Sequence, residues 1–169
     1  MKIQHIYKPL GAGLLMILLI SGSLQAQTTA KEKDVQEDAA IKEAVDAKSF
    51  VFKAQTIVPM SGMSRQLNAN YDLDISSDKI ISFLPYMGRI YTPPIDPAAG
   101  PLRFTSTDFD YIMQPGKKGG WQISIKPKDV RSVREFTLNV TESGYATLQV
   151  NGNDRQPVTF YGYVIEKKG

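Results

Sequence analysis

From Ser49 onward the chain alternates apolar and polar residues with a period of two. That spacing puts one face of an extended strand in a core and the other in water. In SFVFKAQTIV, Phe50, Phe52 and Ala54 fall on one side. In QLNANYDLDIS, Leu67, Ala69, Tyr71, Leu73 and Ile75 alternate with Asn68, Asn70, Asp72 and Asp74, which predicts a half-buried strand. KIISFLPY, LRFTS, DFDYIMQ, GWQISIK, REFTLNV, YATLQV and VTFYGYVIEK continue the pattern. Turn-forming segments separate many of them, among them SSD, QPGKKGG, KPKD, TESG and NGNDRQP. Short strands joined by short turns, with no crossover helices between them, predict an all-β domain. The expected architecture is an antiparallel meander of eight to nine strands in a barrel or a flattened sandwich, lipocalin-like in outline.

Before Ser49 the pattern is helical. DVQEDAAIKEAVDAK pairs Asp34 with Glu37 in a capping-box spacing and is rich in alanine, so it predicts a short N-terminal helix. Val35, Ile41 and Val45 make only a thin apolar stripe. The segment therefore reads equally as a helix closing one end of the β domain or as a mobile arm.

The first 26 residues have a different logic. Lys2, His5 and Lys8 precede an uncharged apolar run from Leu10 to Ile20, and the small polar segment SGSLQA follows. This is the order of a secretory signal peptide, and the run is shorter than the roughly 20 residues a membrane-spanning helix needs. No cysteine follows it, so a lipid anchor is not expected. The resulting division is a signal peptide over 1–26, a polar segment and short helix over 27–48, and a β-rich domain over 49–169. The expected location is the periplasm or the cell exterior, with no transmembrane segment after cleavage.

Removing the leader changes the charge. The whole chain has 20 Lys and Arg against 17 Asp and Glu, a net +3. Taking away Lys2 and Lys8 leaves 18 against 17, or +1. A nearly neutral domain with scattered bases carries no electrostatic footprint for nucleic acid.

It also removes the only histidine, His5, from a chain with no cysteine. Catalytic triads built on histidine or a thiolate are then impossible. Zinc sites lose two of their three usual ligand types, and haem and iron–sulfur ligation by these residues is excluded. No cofactor and no metal are expected. Carboxylate pairs remain as candidates: Asp72 with Asp74, and Asp108 with Asp110. Each alternates with apolar residues, which turns it away from the core. The sequon at Asn139–Thr141 lies inside a strand pattern and carries little weight.

One stretch resists the simple pattern. ISFLPYMGRIYTPP, residues 81–94, places Pro85 at the end of a strand, Gly88 in a bend, and a proline-rich connection after Tyr91. Phe83, Tyr86 and Tyr91 read as core residues closing one end of the barrel. The competing reading makes Tyr86, Arg89 and Tyr91 the rim of a ligand-binding site. Tyrosine offers apolar area with a polar tip, and arginine can hold a carboxylate or phosphate with two parallel bonds.

FVFKAQTIVPMSGMSRQLNANYDLDIS, ISFLPYMGRIYTPP, GGWQISIKPKD and the final FYGYVIEK, taken in order, resemble the domain of unknown function 4251 family, exported proteins common in Bacteroidetes. The resemblance implies a secreted or periplasmic β-rich domain. It implies no activity and transfers no catalytic residue.

Three functions follow as expectations. The first is a non-enzymatic barrel holding a small apolar or amphipathic ligand, which requires an enclosed cavity. The second is an envelope module binding a protein or glycan through the Tyr86–Tyr91 loop, which requires a packed interior and exposed aromatic residues. The third is a carboxylate hydrolase, which requires two acids facing each other across a cleft.

Overall fold

The computed structural model describes residues 38–91, 102–116 and 119–167. The segments expected as a signal peptide (1–26) and as the Asp34–Glu37 cap, and most of the proline-rich connection, lie outside the described residues.

The alternating pattern folds into nine strands among the described residues. They are β1 (Phe50–Pro59), β2 (Arg65–Ile75), β3 (Ile80–Leu84), β4 (Leu102–Ser106), β5 (Phe109–Pro115), β6 (Trp121–Pro127), β7 (Val133–Val140), β8 (Tyr145–Gly152) and β9 (Val158–Glu166). All pair antiparallel, in the order β4-β3-β2-β1-β9-β8-β7-β6-β5, and the sheet rolls into a nearly closed barrel. The first strand pairs with the last, so the two ends of the domain are stitched together mid-sheet. The seam lies between β4 and β5, which are consecutive in sequence.

The curl is visible in the core, where Phe104 of β4 stacks on Phe136 of β7 with ring centroids 5.9 Å apart. The seam is also tied from outside by Asp129. Its carboxylate accepts from the Ser106 hydroxyl (2.5 Å) and from the backbone N–H of Thr107 (2.9 Å). These donors, Ser106 first, hold its carboxyl below the ordinary range.

Inward positions fill the barrel. Phe50 and Phe52 of β1, Phe136 of β7 and Phe160 of β9 are fully buried, among Ile57, Leu73, Ile75, Ile80, Ile123, Ile125, Leu138 and Leu148. Burying one such side chain contributes roughly 1.5–3 kcal/mol before chain entropy is counted. The only described polar residues buried with them are Ser82, Ser106 and Arg155.

The segment before β1 is a helix over 38–46, designated α1. Ile41, Ala44 and Val45 are buried, so the described part of the stripe packs against the barrel, while Val35 lies outside the described residues. Lys48 has a φ of 52°, the left-handed conformation. Ser49 N–H bonds to the Ala44 carbonyl and Lys48 N–H to that of Val45, the pair of bonds that defines a Schellman ending. A lysine in place of glycine there costs about 1 kcal/mol. Its ammonium sits 4.7 Å from the centre of the Tyr111 ring, a cation–π contact that offsets part of that cost.

The regular alternation expected through β2 breaks in its first half. Pairing with β1 passes from Ala54↔Tyr71 to Thr56↔Gln66, so residues 67–70 bow out opposite the single residue Gln55. Leu67 is only half-buried and Ala69 is exposed, against the expectation that both face the core. The break falls at Gln55, which is also the extra β1 residue of a bulge in the β1–β9 register. Gly162 of β9 makes the bulge possible. A Cβ there would overlap the Lys53 carbonyl oxygen, so only glycine permits the approach.

Candidate functional site

The 81–91 stretch leaves the sheet after Leu84 and docks on the β8–β9 loop. Tyr86 Oη donates to the backbone carbonyls of Arg89 (2.9 Å) and Gln156 (3.0 Å). Gln156 N–H bonds to the Arg89 carbonyl, Tyr91 N–H to that of Asp154, and Ile90 pairs with Arg155 in an isolated bridge. The Arg155 side chain, 3% exposed, lies under this crossing. Its Nε contacts Asp154 Oδ1 at 2.8 Å, and its guanidinium sits 5.2 Å from the Tyr86 ring centre. The hydrogen bond from Arg155 holds the Asp154 carboxyl below its ordinary range. Burial pushes the Tyr86 hydroxyl up, against the opposing pull of Arg155.

The three residues expected at a binding rim are thus near one another but differently placed. Tyr86 turns its hydroxyl to the protein's own backbone, Arg89 engages through main-chain atoms, and Tyr91 is 62% exposed. Phe83 faces outward, half-buried between Tyr71 (centroids 5.6 Å) and the Arg103 guanidinium (4.0 Å), and does not enter the core. A recess of about 210 Å³ lies beside this crossing, lined by Met63, Arg65 and Met87 among others, with Tyr86, Arg89 and Tyr91 outside its walls.

The carboxylates are ion-paired on the outside of the barrel. Asp72 meets Lys53 at 2.7 Å, Asp74 meets Lys167 at 2.8 Å, and Asp110 meets Lys128 at 2.5 Å. Lys128, half exposed, has its proton held more tightly, first by its hydrogen bond to Asp110. Among the described residues, no group of three or more Asp, Glu, His or Cys side chains gathers where a metal could sit.

A larger opening lies elsewhere, on the outer face of β6 to β9. The registers align Gln122 of β6 with Asn139 of β7, Asn139 with Thr147 of β8, Thr147 with Tyr161 of β9, and Tyr161 with Thr56 of β1. One rung of outward side chains therefore crosses five strands, and it is made of amides, hydroxyls and one aromatic ring. The neighbouring outward positions Ser124, Thr137, Gln149 and Thr159 are uncharged too.

The rung runs through a half-open groove of about 580 Å³, lined by Trp121, Gln122, Asn139, Tyr145, Tyr161 and Gln55 among others. Tyr145 and Tyr161 are 67% and 51% exposed. Trp121, the chain's single tryptophan, stands at one end. Gly120, at φ 75°, brings the β5–β6 turn in so closely that a Cβ would overlap the Val140 carbonyl oxygen. That approach sets Trp121 against β7, opposite Val140. No described Lys, Arg, Asp or Glu lines the groove; Glu142 reaches only to Gly119 at its rim.

The model for the domain of unknown function DUF4251 matches residues 32–164. The chain belongs to the DUF4251 family. A crystal structure of a DUF4251 family protein from Bacteroides eggerthii DSM 20697 has a similar fold, with a TM-score of 0.57 at 17% identity over 77% of this chain and 87% of that one. No curated protein matches the chain. Membership confirms the resemblance carried by FVF, ISFLPYMGRIY and FYG, and it leaves function to be argued from the molecule. Among the described residues, no helix is long and apolar enough to cross a membrane.

Sequence reasoning passed over Gln122, Asn139, Tyr145 and Tyr161. A usable signal was present: four successive strands place no charge at their central outward positions, where lysine and glutamate are ordinary choices.

Proposed function

We propose that this DUF4251 protein is an exported, non-catalytic binding protein whose outer-face groove takes a neutral amphipathic ligand of the carbohydrate class. The observation that carries this reading is the lining of the 580 Å³ groove: exposed aromatic rings beside carboxamides and hydroxyls, with no described ionised side chain. The volume falls in the usual range for ligand sites. A sugar ring has an apolar C–H face and a rim of hydroxyls. Tyrosine and tryptophan present flat apolar area to the first, and each carboxamide both donates and accepts toward the second. A phosphate or carboxylate ligand calls instead for Arg or Lys, and a lipid for an apolar cavity.

The barrel interior argues for an external site, because the four buried phenylalanines and their aliphatic neighbours occupy it. The Tyr86–Tyr91 crossing argues likewise, because the Tyr86 hydroxyl is committed to backbone carbonyls. The lysine-paired carboxylates support a non-catalytic role. Export rests on the leader pattern over 1–26.

Trp121 supplies a direct test, since the single tryptophan lines the groove while packing in part against the core. Titration of the purified protein with neutral glucans, mannans, xylans and galactans should give saturable changes in that emission. Tyr161→Ala should abolish them without moving the unfolding temperature. Flat emission across the whole panel overturns the reading.

A further inference from the structure

Building on that reading, we infer that the groove continues past the β1 bulge into a second subsite, so that the ligand is a linear neutral oligosaccharide rather than a single sugar. A second recess of about 210 Å³ lies on the far side of Gln55, lined by Asn68, Asn70, Tyr71 and Tyr163 among others. Gln55 lines both recesses, as the bulged residue between them. Tyr163 extends the aromatic surface along β9 from Tyr161, two residues away on the same outer face, and is 37% exposed.

The chemistry of the second recess repeats that of the first. Asn68 and Asn70 are exposed carboxamides, and Tyr71 and Tyr163 are aromatic. Its one cation, Lys53, is paired with Asp72 at 2.7 Å, so the wall stays close to neutral.

The backbone repeats it too. Residues 67–70 have no register partner on β1, and pairing with β3 begins only at Asp72. Strand backbone released from both neighbours offers donors and acceptors to whatever fills the recess. Bulges that bend a strand and re-aim its side chains recur beside binding sites, and here the bulge is what opens the second recess.

The direction of the ligand follows. From Gln122 on β6 to Asn68 on β2 is five strand steps, through β7, β8, β9 and β1. At about 4.8 Å per step that is roughly 24 Å measured along the curving sheet, longer than one sugar ring, so a chain of several would follow that curve.

The test uses the whole protein and Trp121 emission, with each neutral glycan class supplied at lengths of one to six units. The double variant Asn68→Ala/Asn70→Ala changes two exposed side chains, and an unchanged unfolding temperature confirms that it folds. Wild-type affinity should climb with ligand length and then level off. The double variant should bind the longest members about tenfold more weakly, a loss of about 1.4 kcal/mol, while binding the shortest as wild type does. Gln122→Ala should weaken short and long members alike. If the wild type binds but affinity is flat with length, or the double variant matches it at every length, the second subsite is overturned and the first groove stands. If no glycan of any length changes the emission, both fall together.

Discussion

Two regions of this barrel spend aromatic residues in opposite ways. At the crossing of the 86–91 stretch over the β8–β9 loop, the Tyr86 hydroxyl bonds to two backbone carbonyls while its ring faces a buried guanidinium. On the outer face of β8 and β9, Tyr145 and Tyr161 stand more than half exposed beside amides, with no described charged side chain in the groove lining. The first arrangement satisfies polar groups internally and stabilises the fold. The second leaves apolar area and hydrogen-bonding groups available to something else. An aromatic-rich motif therefore says little by itself about binding; what decides is where each polar tip ends up.

The sharpest way to break this comparison is at Arg155. Removing its side chain as Arg155→Ala takes a 3%-exposed cation from its Asp154 partner and empties the space beneath Tyr86. Loss of one member of such a pair costs about 3 kcal/mol, at the low end of the range because Asp154 keeps contact with water. The unfolding temperature should fall by many degrees while the remaining folded protein keeps its groove. The pH dependence should change as well. The Asp154 carboxyl is held below its ordinary range, chiefly by the Arg155 hydrogen bond. Its contribution is fully present above the unfolded pKa of about 3.9 and lost as pH falls through the lower folded value. Acid unfolding curves of Arg155→Ala should lack that component. A variant as stable as the parent, with the same acid limb, would show that the crossing does not hold the fold.

Tyr86→Phe is the finer cut. It keeps the ring over Arg155 and removes only the hydroxyl that serves Arg89 and Gln156. The expected loss is about 1–2 kcal/mol in denaturant unfolding, with Trp121 emission unchanged. Tyr161→Ala should do the reverse, since an exposed residue without internal partners shifts stability by no more than about 0.5 kcal/mol. If Tyr86→Phe instead alters ligand response at full stability, the two regions have been assigned the wrong way round.

Much of the barrel was legible because a period of two is a local property. Phe50, Phe52, Leu73, Ile75, Phe136, Leu138 and Phe160 face inward as the alternation requires. The stop at Pro85 is equally local: β3 ends at Leu84. What could not be read depends on partners distant in sequence. Nothing between Phe50 and Pro59 says that β1 lies between β2 and β9, which moves the seam to β4 and β5. Leu67 and Ala69 fit the alternation and still leave the core, because the register breaks opposite Gln55, which lies on another strand. The groove was hidden for a related reason. Gln122, Asn139, Thr147 and Tyr161 are unremarkable in their own segments, and only the registers make them one rung. The 81–94 stretch drew attention by its aromatic density, yet its hydroxyl partner at Gln156 lies 70 residues away.

A third tyrosine sharpens the comparison with a small effect of the least expected sign. Tyr111 of β5 sits beneath the end of α1, with Lys48 over its ring, and its hydroxyl oxygen is buried with no hydrogen-bond partner among the described residues. That hydroxyl serves neither the fold, as Tyr86's does, nor a ligand, as Tyr161's is argued to do. A buried unpaired hydroxyl costs about 1–3 kcal/mol, so Tyr111→Phe should stabilise the protein by about 1 kcal/mol while keeping the cation–π contact with Lys48. Burial, with a smaller contribution from Asp46, pushes the phenol up to about 12. With the unfolded value near 10, the neutral form favours the fold below pH 10. Stability is then lost as pH rises from 10 toward 12. Thermal unfolding of the two proteins across that alkaline range should show the parent falling away faster than Tyr111→Phe. A phenylalanine variant less stable at neutral pH would mean that the hydroxyl has a partner, and that this tyrosine belongs with Tyr86.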